Sequence, residues 1–251
     1  MRGVIRALAF AASVCVVQPA FATTVSFQSI LVNANGTQYT DQNAVPGANT
    51  GGFNATTGEG TLSFLFNPGA PGAYFFDVFF DHGLSVPFFN EFGTVNGAPA
   101  AGTTYEIGDS FASNIYPDVQ TGGALPNTNT LPGQLSNFNG ACVGVNCNGD
   151  FAAALGFQFV LGAGQAGLIT FSIGEVNPGG FSLQGTHPQD PANGGGSNGP
   201  SAVTNLFITG TLAIVPSDQP PPPSVPEPSS LLLLGTAGGP LLWKFRRRIG
   251  L

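Results

Sequence analysis

The sequence predicts an all-β fold, an antiparallel β-sandwich or jelly-roll domain, with an N-terminal signal peptide and a short C-terminal hydrophobic helix. Three observations carry the prediction. Several segments alternate apolar and polar residues with the period of two that marks half-buried strands: Val25-Ser26-Phe27, Leu62 to Phe66, Phe157-Gln158-Phe159, Ile169 to Ile173, and Leu206 to Val215. Between them lie turn dipeptides in quantity, namely Asn35-Gly36, Asn96-Gly97, Asn139-Gly140, Asn148-Gly149 and Asn193-Gly194. No lysine or arginine occurs between Ala7 and Trp243. An amphipathic surface helix with a charged outer face therefore has little to be built from, and a short helix is expected only near Asp150 to Leu155.

At the N-terminus, Arg2 and Arg6 form a basic region, Ala7 to Val17 an apolar one, and Ala20-Phe21-Ala22 an A-x-A cleavage site. Residues 1–22 thus read as a signal peptide, cut after Ala22. Cys15 does not suggest a lipoprotein, because Val14 before it is not the small residue that a lipobox needs.

Residues 23–215 form the β-sandwich domain, long enough to bury about 70% of its extended-chain surface as one unit. Of the 22 phenylalanines, 19 fall in this stretch and supply its core and loops. All 13 acidic residues lie between Asp41 and Glu227, so no ion pair with lysine or arginine can form inside the domain. The negative charge makes nucleic acid and anionic membrane surfaces poor partners. Solubility rests instead on Asn, Thr, Ser, Gln and Gly.

Cys142 and Cys147 are spaced C-x4-C and, in an exported chain, read as one local disulfide contributing about 2 kcal/mol. A structural zinc site would want four ligands, and His82 and His187 lie far off in sequence. Gly162-Ala163-Gly164-Gln165-Ala166-Gly167 matches G-x-G-x-x-G, but the residues after it are patterned as a strand, so it reads as a hairpin loop. Gly195 to Gly199 matches G-x-S-x-G in low-complexity sequence without a basic partner, and Leu125 to Asn129 reads as a loop.

On a strand, Asp77, Phe79 and Asp81 share one face and His82 points to the other. Asp77 and Asp81 are the candidates for a hard cation such as Ca²⁺, but a solvated strand face accounts for them, and no metal and no cofactor is assigned. The domain holds two histidines and no lysine or arginine, and its carboxylates show no readable pairing, so no catalytic residue is assigned and the chain is read as a non-enzyme. Two alternatives stand beside that reading. A secreted carbohydrate-binding module suits a β-sandwich but lacks tryptophan for stacking on sugars; a secreted hydrolase would need carboxylates that meet only in space.

Residues 216–228 hold seven prolines and read as a stalk. Polyproline II geometry would extend it to some 40 Å. Within it Val225-Pro226-Glu227-Pro228 presents Glu227 on a stiff, extended backbone. Residues 229–251 follow as a hydrophobic anchor and basic tail. The 17 residues from Ser229 to Phe245 would reach about 25 Å as a helix, short of a hydrocarbon core of roughly 30 Å. Gly235, Gly238, Gly239 and Pro240 weaken that helix further, which suits a temporary anchor. Lys244, Arg246, Arg247 and Arg248 would hold the C-terminus on the cytoplasmic side.

The order Pro-Glu-Pro, Leu-rich run, Arg cluster resembles the PEP-CTERM sorting signal of Gram-negative bacteria. The resemblance covers Val225 to Arg248. It implies recognition by a membrane-embedded exosortase, a membrane-anchored precursor held by its C-terminal helix, cleavage near Pro226-Glu227-Pro228, and delivery to the cell surface or an exopolysaccharide matrix such as a biofilm. Phe75-Phe76-Asp77-Val78-Phe79 also has the F-x-D-x-F spacing found early in one group of PEP-CTERM proteins. The expected partners are exosortase, exopolysaccharide and, before processing, the membrane; the expected role is structural or adhesive.

Overall fold

The computed structural model describes residues 25–84, 91–110, 112–131, 150–187 and 203–218. Its twelve strands are β1 (Ser26–Ala34), β2 (Thr37–Tyr39), β3 (Ala48–Asn54), β4 (Glu59–Phe66), β5 (Gly72–Gly83), β6 (Phe92–Asn96), β7 (Thr103–Asp109), β8 (Thr128–Asn129), β9 (Phe151–Leu161), β10 (Gln165–Gly174), β11 (Ser182–His187) and β12 (Thr204–Pro216). Among the described residues one α-helix, α1 (Ile115–Thr121), lies between β7 and β8, and a 3-10 turn, Gln42–Ala44, lies between β2 and β3. The strands form two six-stranded sheets, ordered β2-β1-β5-β9-β7-β8 and β3-β4-β10-β12-β11-β6, referred to below as the first and second sheets. Every pairing is antiparallel except β7 with β8.

The two sheets close on a phenylalanine core, because alternation along each strand sends one set of side chains inward. Ile30 and Val32, Phe76, Val78 and Phe80, and Leu155 and Phe157 of the first sheet meet Leu62 and Phe64, Ile169 and Phe171, and Leu206 and Ile208 of the second. Phe171 lies at the centre, its ring 5.3 Å from Phe80, 5.9 Å from Phe157 and 6.2 Å from Phe64 between centroids. Gly210 opposite it has a packing reason: a Cβ there would stand 2.9 Å from the Phe157 ring.

The all-β prediction holds, and the alternating segments fall in β4, β9, β10 and β12 and, for Ser26 and Phe27, at the start of β1, with Val25 just before it. Asn35-Gly36 turns β1 into β2 with both residues at positive φ, and residues 162–164 close the β9–β10 hairpin where G-x-G-x-x-G was read as a loop. Two expectations are corrected. The short helix expected near Asp150 to Leu155 is the start of β9, and the helix is instead α1. Within the segment expected to be a loop, Thr128 and Asn129 pair with Glu106 and Ile107.

The ends of the sandwich differ. β12 finishes at Pro216 opposite Gln165, and Ser217 is held there by its N–H on the Gly164 carbonyl (2.9 Å) and by the Asn67 side chain on its own carbonyl (3.3 Å). That end carries the short turns at 35–36, 67–71 and 162–164. At the opposite end Gly83 pairs with Ser26, Asp109 with Phe151 and His187 with Thr204, so the connections 84–91, 131–150 and 187–204 all leave from there. Among the described residues no helix is long and apolar enough to cross a membrane.

Candidate functional site

The outer face of the first sheet carries a second, smaller core. Alternation along β5 turns Asp77, Phe79 and Asp81 outward, and β1 and β9 add Leu31, Ala152 and Ala154 beside them. Ile115, Val119 and Leu125 from α1 and the chain after it close over this strip, with Tyr116 edge-on to Phe79 at 5.3 Å. Helix α1 tolerates Pro117 because it lies in the first turn, where the missing N–H has no partner to lose.

The C-terminal end of α1 is pinned by the sheet below it. Asn33 donates both hydrogens of its side-chain amide to the carbonyls of Val119 (2.8 Å) and Gln120 (3.0 Å), and Gln38 adds a bond to Gln120 (2.9 Å). These are carbonyls that a helix end leaves without an internal partner. Gly122 follows at φ +76, and a Cβ there would collide with the Phe75 ring. The F-x-D-x-F residues thus have a common task, since Phe75, Asp77 and Phe79 all meet α1 or the turn that ends it.

Carboxylates are buried around this strip. Asp77 is fully buried and accepts the Gly123 N–H at 2.9 Å; burial pushes it up to about 7, against the lowering effect of that hydrogen bond. Asp81 accepts from the Ser29 hydroxyl at 3.3 Å, and burial, followed by the charge of Asp150, pushes it up to about 7. Asp150, the residue before β9, accepts from the Ser110 hydroxyl at 3.0 Å and is raised to about 6, first by burial. Glu106 on β7 is raised to about 7, first by burial and then by the charge of Asp118 on α1. Asp109 accepts the N–H of Ala112 (2.9 Å) and of Asp150 (3.2 Å). Glu91 ties two strands together through the N–H of Leu84 (2.7 Å) and of Phe151 (2.8 Å).

The structure thus corrects the solvated face expected at Asp77 and Asp81. Both are buried, at 0% and 7% exposure, because α1 and its flanking chain cover the strand. They also stand in separate surroundings, Asp77 beside Gly123 and Gly156, Asp81 beside Ser29 and Asp150. His82 does point the other way. Its ring lies in the interior, 5.2 Å from Phe27, with Nε2 at 3.3 Å from the Gly58 carbonyl, and burial lowers it to about 4, so it is neutral at pH 7. Among the described residues no group of three or more His, Cys, Asp or Glu could hold a metal ion by itself.

Glu106, Asp109 and Asp150 were not expected at a site. Glu106 and Asp150 are single acids beside an apolar strand residue, Ile107 and Phe151, and with no lysine or arginine in the domain that placement is the signal available for them; Asp109, between Gly108 and Ser110, carries none. Cys142 and Cys147, Ala20 and Ala22, and the sorting residues Val225 to Pro228 and Arg246 to Arg248 lie outside the described residues.

Comparison with protein families matches residues 224–248 to the PEP-CTERM protein-sorting motif. The chain therefore carries a sorting signal of the kind processed by exosortase, which implies export and a membrane-anchored precursor. The match covers the tail and does not extend into the β-sandwich. No curated protein and no solved structure matches the chain.

Proposed function

We propose that, exported on this signal, the β-sandwich is a non-enzymatic surface or matrix protein with a structural or adhesive role among exopolysaccharide, cut by exosortase near Pro226-Glu227-Pro228. The supporting observation is the placement of the two ends. β12 delivers the proline-rich segment from the end with short turns, so a stalk of some 40 Å would hold the opposite end, with its long connections, away from the membrane. A tethered domain whose long connections start from the end opposite its stalk suits contact with an extended matrix.

Glu227→Gln tests the sorting step. The variant should accumulate in the membrane fraction as precursor retaining Arg246 to Arg248, while wild type reaches the outer surface without them; equal delivery of both proteins would refute the reading. The matrix role is read separately, by whether processed wild type co-sediments with the host's own polysaccharide.

A secreted carbohydrate-binding module is the second reading, and one observation favours it. On the outer face of the second sheet Gln184 bonds Asn96 (3.1 Å), Thr186 (3.1 Å) and Asn205 (2.9 Å), a half-buried network of amides and a hydroxyl. Groups of that type match the hydroxyls of a sugar.

A further inference from the structure

The end of the first sheet that faces away from the stalk holds negative charge in a domain without lysine or arginine. Asp81 on β5 and Asp150 before β9 are 7% and 3% exposed, and each keeps one oxygen, Oδ1, buried without a hydrogen-bond partner. One hydroxyl bears on both carboxylates: Ser110 donates to Asp150 Oδ2 at 3.0 Å and is close enough to Asp81 to favour its charged form. Asp109 adds a third charge close enough to act on both, with its own oxygens engaged by the amides of Ala112 and Asp150. Lysine and arginine are absent from the whole domain, and His82 faces the opposite side of the sheet. Two buried carboxylates that repel one another, each with a lone pair unused, call for a positive charge from solution.

We propose that a divalent cation of the calcium class binds between Asp81 and Asp150, with Oδ1 of each carboxylate and the Ser110 hydroxyl as its protein ligands and water completing the shell. The donors are all oxygen, without imidazole or thiolate, which selects a hard cation over zinc or copper. Calcium accepts irregular shells and bound water, whereas magnesium demands a closer octahedron. Because two carboxylates rather than a closed cage supply the charge, the affinity belongs at the weak extracellular end, about 10⁻⁴ to 10⁻³ M. The ion would join β5, β9 and the chain leading into α1, and so hold the covered face closed.

The test uses the full-length chain in detergent, stripped with a chelator at pH 7.5 and titrated with CaCl₂ by calorimetry and by thermal melting. Saturable binding is expected, with an upward shift of the melting temperature equivalent to about a tenfold gain in the folding constant at 10 mM calcium for a 1 mM site. Asp81→Asn and Asp150→Asn should each weaken binding at least tenfold while leaving the metal-free protein as stable as wild type or more so, since each removes a repulsion. Asp77→Asn, on the same strand but in separate surroundings, should leave the calcium response intact. A wild-type protein that ignores calcium would overturn the proposal, and a gain in stability on acidification that Asp81→Asn reduces would show that the pair shares a proton instead. A calcium response that survives in the Asp81→Asn, Asp150→Asn double variant would overturn the proposal as well.

Discussion

The two outer faces of this sandwich keep a chain without lysine or arginine soluble and ordered in opposite ways. The strands of the second sheet carry a single carboxylate, Glu59 at the start of β4, and on its outer face hydroxyls and amides satisfy one another: Ser63 with Thr170 at 3.1 Å, Gln184 with Asn96, Thr186 and Asn205, and Thr209 with the Phe181 carbonyl at 2.9 Å. On the first sheet carboxylates are outward but then covered, together with Leu31, Phe79, Ala152 and Ala154, by α1 and its flanking chain. Polar groups that water can reach need no special partner, whereas buried acids must be held by amides, hydroxyls, protons or ions. Sensitivity to pH and to cations therefore belongs to one face.

The largest effect expected from breaking that difference is the removal of the covered face's own anchor. Phe79 is 2% exposed and packs on Tyr116 of α1, so Phe79→Ala should cost about 3–5 kcal/mol in denaturant unfolding. Amide exchange over Ile115–Thr121 should rise with it, because the buried Ile115 and Val119 of α1 pack in this strip. Leu168→Ala, a truncation on the half-buried face of the second sheet, should cost about 1 kcal/mol and leave α1 protected. Equal losses from the two substitutions would mean that the faces are not distinct.

The pH dependence sharpens the contrast. Asp77 and Glu106 are raised to about 7 from ordinary values of 3.8 and 4.5. Groups raised in the folded state take up protons on folding, so their contribution is fully present below about pH 4 and is lost as the pH rises through 7. His82 acts in the other direction: lowered to about 4 from 6.5, its contribution is present above 6.5 and is lost as the pH falls toward 4. Two carboxyls outweigh one imidazole across most of this window. The melting temperature should therefore be higher at pH 5 than at pH 8, Asp77→Asn or Glu106→Gln should each shrink the gain, and Ser63→Ala on the opposite sheet should leave it unchanged. A melting temperature that falls between pH 8 and pH 5 in wild type would contradict the assignment.

How far the sequence revealed these faces depended on whether a strand was covered on one side or two. Leu62 to Phe66, Ile169 to Ile173 and Leu206 to Val215 are legible because the second sheet turns its apolar side chains mainly inward and sets polar ones such as Ser63, Thr170 and Thr209 between them, which preserves much of the alternation. Phe151 to Leu155 is not, because α1 covers its outer side: Ala152, Ala153 and Ala154 are all buried, the period of two disappears, and the run resembles a short helix. Helix α1 escaped notice for the complementary reason, since Pro117 and a single charge, Asp118, give it no polar face to read. Strand β3, with Gly51 and Gly52 at a break in register, carries almost no apolar signal. The acids were legible only in part. Alternation alone separates Asp77 and Asp81 from His82, but Asp81, Asp109 and Asp150 come from different strands or their ends and meet only in space.

The smallest expected effect on stability lies on the second sheet, and it separates the two readings of function. Gln184, Asn96 and Asn205 are half-buried, though Thr186 is 6% exposed, so Gln184→Ala should cost about 1 kcal/mol, with water taking over the positions it can reach. Its fold, its pH profile and its calcium response should match wild type, since those belong to the covered face. If the network is only surface solvation, the variant should still co-sediment with the host polysaccharide as wild type does. If the network reads sugar hydroxyls, retention should fall several-fold at unchanged stability, because a lost contact to a ligand is not repaid by water in the bound state. The matrix contact would then lie on the side of the domain, on the uncharged face, and the outward connections at its far end would not be needed for it.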